Sequence, residues 1–254
     1  MKRIALALVL VAALAGCGGA NQPAETTPRA EPATAGETTP LRVYFLRDGK
    51  VGPVARSVPH TQGVATAALQ ELLKGPTSTE QGIGLTTRVA DGTTLNYVSV
   101  ADGVATVELS PEPVTPAARA QVVYTLTQFP TVEAVRFGAG AAPVDRTDFE
   151  AETPRILVET PLPFATVSSP VRVAGTANTF EATFQVALLA ADGTVLDGHF
   201  VTAASGTGTR GSYVTSVHFP AGRTGDATLK VWEASAENGQ PLGTVEIPVR
   251  LGSG

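Results

Sequence analysis

The chain has 254 residues and a formal net charge of −5, with 18 Lys and Arg against 23 Asp and Glu. The charge is spread along the chain, so no basic block exists to release counterions from nucleic acid, and no basic amphipathic helix exists to lie on a lipid surface. There is one cysteine, Cys17, which excludes an intrachain disulfide, so any folded part must hold on its apolar core alone.

The chain opens with Lys2 and Arg3, then an almost wholly aliphatic run from Ile4 to Ala15. That run is too short for the roughly 20 residues of a transmembrane helix. Basic start, short apolar stretch and small residues are the parts of a secretory signal peptide, expected over 1–16. Leu14-Ala15-Gly16-Cys17 resembles a lipobox, the processing site of bacterial lipoproteins. The resemblance implies that Cys17 is S-diacylated and becomes the mature N-terminus after cleavage behind Gly16. Two acyl chains suffice for stable anchoring, at about 0.8 kcal/mol per buried CH₂. The expected location is the extracytoplasmic face of a bacterial membrane, with the membrane itself as one partner.

Residues 18–40 contain no aromatic residue and no Val, Ile, Leu or Met. Nothing there can be buried, so 17–40 is expected to be a lipidated cysteine followed by a disordered Pro/Thr linker. Fully extended, it reaches roughly 70 Å at about 3.1 Å per residue. Roughly 230 residues follow the leader, enough for two ordinary domains.

The first domain is expected over 41–153. Leu41 to Leu46 reads as a strand. Apolar residues at 64, 68, 69, 72 and 73 have helical spacing, stopped by Gly75-Pro76. A hairpin follows: Val98 and Val100, a turn at Asp102-Gly103, then Ala105, Val107 and Leu109. Thr115-Pro116 fits an N-cap and a proline at the first helical position. Val122, Val123, Leu126 and Phe129 line that helix, Pro130 ends it, and Val132 to Phe137 is a last strand. The class is α+β in the order β-α-β-β-α-β, a short sheet with two helices on one face.

The second domain, 154–251, has no helical pattern. Seven short runs are separated by turn signals, at roughly 156–160, 169–177, 180–189, 194–203, 211–219, 227–235 and 243–251. In the last, Val245, Ile247, Val249 and Leu251 alternate with polar residues and Pro248, which predicts an edge strand. The pattern predicts an all-β immunoglobulin-like sandwich without the antibody cysteine pair.

Residues 41–150 resemble the GerMN domain of sporulation and germination proteins. The resemblance is carried by L-R-V-Y-F-L at 41–46, L-L-K-G-P at 72–76 and V-A-D-G-V-A-T-V-E-L-S at 100–110. Residues 155–251 resemble Gmad2, an immunoglobulin-like domain of spore germination proteins, through S-S-P-V-R-V-A-G-T-A at 168–177, F-E-A at 180–182, A-D-G at 191–193 and I-P-V at 247–249. The resemblance implies a non-catalytic, lipid-anchored envelope protein, similar to modules that assemble side by side, whose partners are other envelope proteins.

The chemistry-bearing motifs are few. Gly206 to Gly211 matches G-x-G-x-x-G, but a strand follows instead of a helix, so a flexible inter-strand loop is expected. There is no P-loop, H-E-x-x-H or G-x-S-x-G. His60, His199 and His218 are far apart and are read as solvated side chains. No local carboxylate pair suggests glycoside hydrolysis. No catalytic residue, metal or cofactor is expected. Trp232 falls on the Thr228/Lys230 face of its strand, and an exposed Trp is a favoured binding anchor. The alternative reading is a wall module that binds peptidoglycan or another glycan.

Overall fold

Three successive apolar residues, Ile156-Leu157-Val158, are all buried, and they are the hinge of the architecture. A strand alternates its side chains between two faces, so a run buried at every position needs a core on both sides. Leu157 belongs to the first core, with residues 41–149, while Ile156 and Val158 belong to the second. One strand is thus a wall shared by two modules. The computed structural model describes residues 36–253. The lipobox residues Leu14, Ala15, Gly16 and Cys17, the leader 1–16 and most of the linker lie outside them.

The first module begins with two strands, β1 (Thr38–Arg47) and β2 (Lys50–Pro59), paired antiparallel from Thr38↔Pro59 to Arg47↔Lys50. The linker was expected to run to residue 40, but pairing starts at Thr38. β2 corrects the expected β-α-β-β-α-β order. Its turn is Asp48-Gly49, both at positive φ (52° and 77°), the geometry Asp-Gly favours in a two-residue hairpin. Gly52, Pro53 and Pro59 break the alternation that would have marked the strand.

Then come α1 (Val64–Leu73), a one-turn α2 (Ser78–Gly82), the hairpin β3 (Thr94–Ala101) and β4 (Val104–Ser110), α3 (Pro116–Leu126) and β5 (Ala134–Phe137). The module order is therefore β-β-α-α-β-β-α-β. β1 and β2 form their own ribbon, while β5 pairs parallel to β4 in a separate sheet of order β3-β4-β5. The hairpin turn at Asp102-Gly103 and the Thr115 cap stand as expected: Thr115 Oγ1 accepts from Ala118 N at 3.2 Å, and Pro116 opens the helix.

α3 departs from the expected one-sided stripe. Every residue from Gln121 to Leu126 is buried. The cause is the free edge of β1. An edge strand presents unpaired N–H and C=O groups that must find partners. Thr125 Oγ1 accepts from Tyr44 N at 3.1 Å, and Gln121 Nε2 donates to Tyr44 O at 3.1 Å. Gln128, just past the helix, accepts from Arg42 N at 2.7 Å and donates to Arg42 O at 2.6 Å. Leu46 completes the row by exchanging backbone bonds of 2.8 Å with Thr86. The polar face of α3 thus substitutes for a missing strand.

The second module holds β6 (Ile156–Thr160), β7 (Thr166–Val167), β8 (Val171–Ala177), β9 (Thr183–Ala190), β10 (Val195–Thr202), β11 (Gly211–Val217), β12 (Gly225–Ala234) and β13 (Pro241–Leu251). Two sheets, of order β11-β8-β6 and β10-β9-β12-β13-β7, enclose the second core. Residues 180–182 form a 3-10 turn and not the start of a strand. β13 was expected at the edge from Pro248, but it is next to last in its sheet: the two-residue β7 pairs with it in parallel at Arg250 and Leu251, leaving Pro248 outside that pairing.

Candidate functional site

Glu159 follows Leu157 on the face of β6 that looks at the first module. Its Oε1 accepts from Arg146 Nη1 at 3.0 Å and from the Tyr44 hydroxyl. Arg146 also donates from Nε to Thr127 Oγ1 at 2.7 Å. Its guanidinium carbon lies 4.6 Å from the Tyr124 ring centroid and 5.6 Å from that of Tyr44, a cation–π arrangement. The Tyr124 hydroxyl meets Thr153 Oγ1 at 2.6 Å. Burial opposes the charge of Glu159, yet Arg146 beside it and the Tyr44 hydroxyl hold its carboxyl below the usual carboxylate range. Burial first, and then the charge of Glu159, push the Tyr44 hydroxyl up, so it stays protonated and donates.

A further link ties the modules. Glu150 accepts from Arg210 at 2.8 and 2.9 Å and from Asn178 Nδ2 at 2.8 Å. Arg210 lies in the Gly206–Gly211 stretch, so this loop is fastened down. Gly208 N donates to Asn178 Oδ1 at 2.9 Å, and a Cβ on Gly206 would sit 2.5 Å from the Ala182 backbone. Gly206 and Gly211 serve close packing between chain segments, Gly208 takes a left-handed turn at φ 97°, and no helix N-terminus follows for a phosphate. At the end of the core stripe of β12, the buried Glu233 accepts from Phe180 N at 2.8 Å and from Arg155 Nη1 at 2.7 Å.

The histidines stand apart. His60 is exposed beside Thr39, and His199 Nε2 meets Thr215 Oγ1 at 2.8 Å. His218 donates its backbone N–H to Asp197 Oδ2 at 2.7 Å. Among the described residues, no group of three or more His, Cys, Asp and Glu could hold a metal ion. No helix among them is long and apolar enough to cross a membrane.

Residues 42–145 match the family Germane, described as sporulation and spore germination, and residues 155–240 match Gmad2, described as an immunoglobulin-like domain of bacterial spore germination. The chain carries a Germane module followed by a Gmad2 module. No curated protein matches it. Among solved structures it is similar to the tandem GerMN domains of the sporulation protein GerM from Bacillus subtilis, at 26% identity and a TM-score of 0.39 over 46% of this chain. It spans about half (48%) of that chain. A chain described as a "Putative Lipoprotein" from Clostridium perfringens is 18% identical, with a TM-score of 0.31, over 46% of this chain and 93% of that one.

In the Gmad2 module, Trp232 lies on the outer face of β12, as its alternation predicts, but half-buried. Lys230 Nζ is 5.6 Å from its ring centroid, and the strand bulges there against β13. The register adds a residue that the linear sequence does not reveal. Gln185 of β9 pairs with Trp232 on one side and with Phe200 of β10 on the other. Directly paired residues share a face, so Phe200, Gln185 and Trp232 form one cross-strand row. Phe200 is 73% exposed.

Proposed function

We propose that this Germane–Gmad2 chain is a non-catalytic cell-envelope protein, held at the membrane by a diacylated Cys17, that binds another envelope protein. The Phe200–Gln185–Trp232 row carries this reading. Two aromatic side chains flank an amide on an open sheet face, and aromatic anchors of this kind dominate binding energies at interfaces. The face belongs to a module locked to its neighbour by Arg146 and Glu150, so a contact made there would reach the first module through a stiff connection. The sequence at 17–40 supports a tether. The same row favours a second reading, because aromatic rings beside an amide also suit the faces and hydroxyls of a sugar. On that reading the partner is peptidoglycan or another wall glycan.

Anchoring is tested by fractionation. Cys17→Ala is expected to move the protein from the membrane fraction to the soluble extract; unchanged retention would contradict the lipid anchor.

A further inference from the structure

A cleft of about 400 Å³ opens between the two modules, within the roughly 300–1,000 Å³ range of small-molecule sites, which favour domain interfaces. We propose that it binds an alkyl carboxylate, an aliphatic chain ending in an anionic carboxyl group.

Both modules build the walls. Val51 and Leu85 come from the Germane side, and Ile156, Val245 and Ile247 from the Gmad2 side. All are aliphatic. Among the described residues no aromatic ring lines the cleft, so these walls offer no stacking surface to a sugar or a nucleobase. It is chemically unlike the Phe200–Trp232 face and independent of the reading built there.

Three cations line the cleft, Arg47, Lys50 and Arg155, against one acid, Asp48. Each keeps donors in hand. Lys50 Nζ donates to Ala151 O at 2.5 Å and has two further N–H groups. Arg155 uses Nη1 on Glu233 while its side chain stays 54% exposed. Arg47 donates from Nη1 to Glu246 O at 2.5 Å, while its buried Nε has no acceptor among the described residues. A buried donor without an acceptor calls for an explanation, and an anion drawn into the cleft beside Arg47 supplies one. Arg47 also argues against an added peptide strand. By taking Glu246 O it blocks the outward backbone of β13, which such a strand would need. Aliphatic walls, a cationic lining and a closed strand edge together select a chain with a charged end.

The test is calorimetric titration of the purified full-length chain with decanoate, 1-decanol and a short apolar peptide bearing a free C-terminal carboxylate. A Cβ on Gly52 meets nothing nearer than Leu85 Cδ2 at 4.0 Å, so Gly52→Leu grows toward the cleft without striking backbone. Lys50→Glu, on an exposed residue, reverses a lining charge. One decanoate per chain is expected to bind, with 1-decanol weaker by about tenfold or more, equivalent to about 1.4 kcal/mol. Both variants are expected to weaken decanoate by a similar factor without lowering Tm. If Gly52→Leu perturbs folding, Lys50→Glu decides alone. The proposal is overturned by an absence of saturable decanoate binding, by equal affinity for decanol, by binding that ignores Lys50→Glu, or by capture of the peptide and not decanoate.

Discussion

Arg146→Ala is expected to lower the unfolding free energy by about 3 kcal/mol, because it leaves Glu159 buried without its cation. The side chains of Arg146 and Glu159 are only 26% and 19% exposed, so the pair is not a surface bridge worth a fraction of a kcal/mol. The Tyr44 hydroxyl would still donate to Glu159, but both cation–π contacts would go. Combining Arg146→Met with Glu159→Gln should recover much of the loss, since no charge is then stranded. Urea denaturation measures both; a loss well under 1 kcal/mol for Arg146→Ala would mean that the linkage contributes no more than an exposed ion pair. The pH profile gives a second readout. The carboxyl of Glu159 is held below its ordinary 4.5, so its contribution is complete above that value and is lost as pH falls through the lower folded value. In Arg146→Ala this acid-side loss should shrink. Glu80 and Glu150, shifted in the same direction through Arg56 and Arg210 against the opposing effect of burial, should still contribute theirs.

Gly175→Ala is expected to cost about 3 kcal/mol or to prevent folding, at the upper end of overpacking effects. An added Cβ would lie 1.9 Å from Leu157 O and 3.1 Å from the Tyr213 hydroxyl. That hydroxyl donates to the same carbonyl at 3.2 Å. The obstruction is backbone of β6, so no rotamer relieves it. Moving β6 would shift Leu157 in the first core and Glu159 in the seam together, and both modules should lose stability in one transition. Gly140→Ala is the control: nothing lies within 4 Å of its added Cβ, and a change within about 0.5 kcal/mol is expected. A Gly175→Ala protein as stable as that control would contradict the packing of β6 against β8.

What the sequence made legible follows from local signals. The Asp102-Gly103 turn, the Thr115 cap with Pro116, and the core stripes of β9, β12 and β13 are written within a few residues of one another. β2 was missed because its Gly and Pro residues hide a strand whose own Asp-Gly turn was in plain view. The burial of α3 on its polar face was not legible, because Gln121 and Thr125 face inward only where the edge of β1 needs donors and acceptors. The seam was hidden for the same kind of reason. Glu150 and Glu159 are single acids in the chain, and their partners Arg210 and Arg146 are set by long-range packing. A run of three buried apolar residues ending in Glu159 was the available hint that β6 serves two cores. Trp232 could be assigned to its face by alternation, whereas Phe200 joins it only through the β9 register.

The most direct test of the proposed function is in-cell photo-crosslinking of the full-length protein from Thr183, an exposed residue on the Phe200–Gln185–Trp232 face. A discrete protein adduct that disappears in Trp232→Ala, with the fold intact, is the predicted result. Recovery of wall glycan alone, or a protein adduct indifferent to Trp232→Ala, would contradict the account.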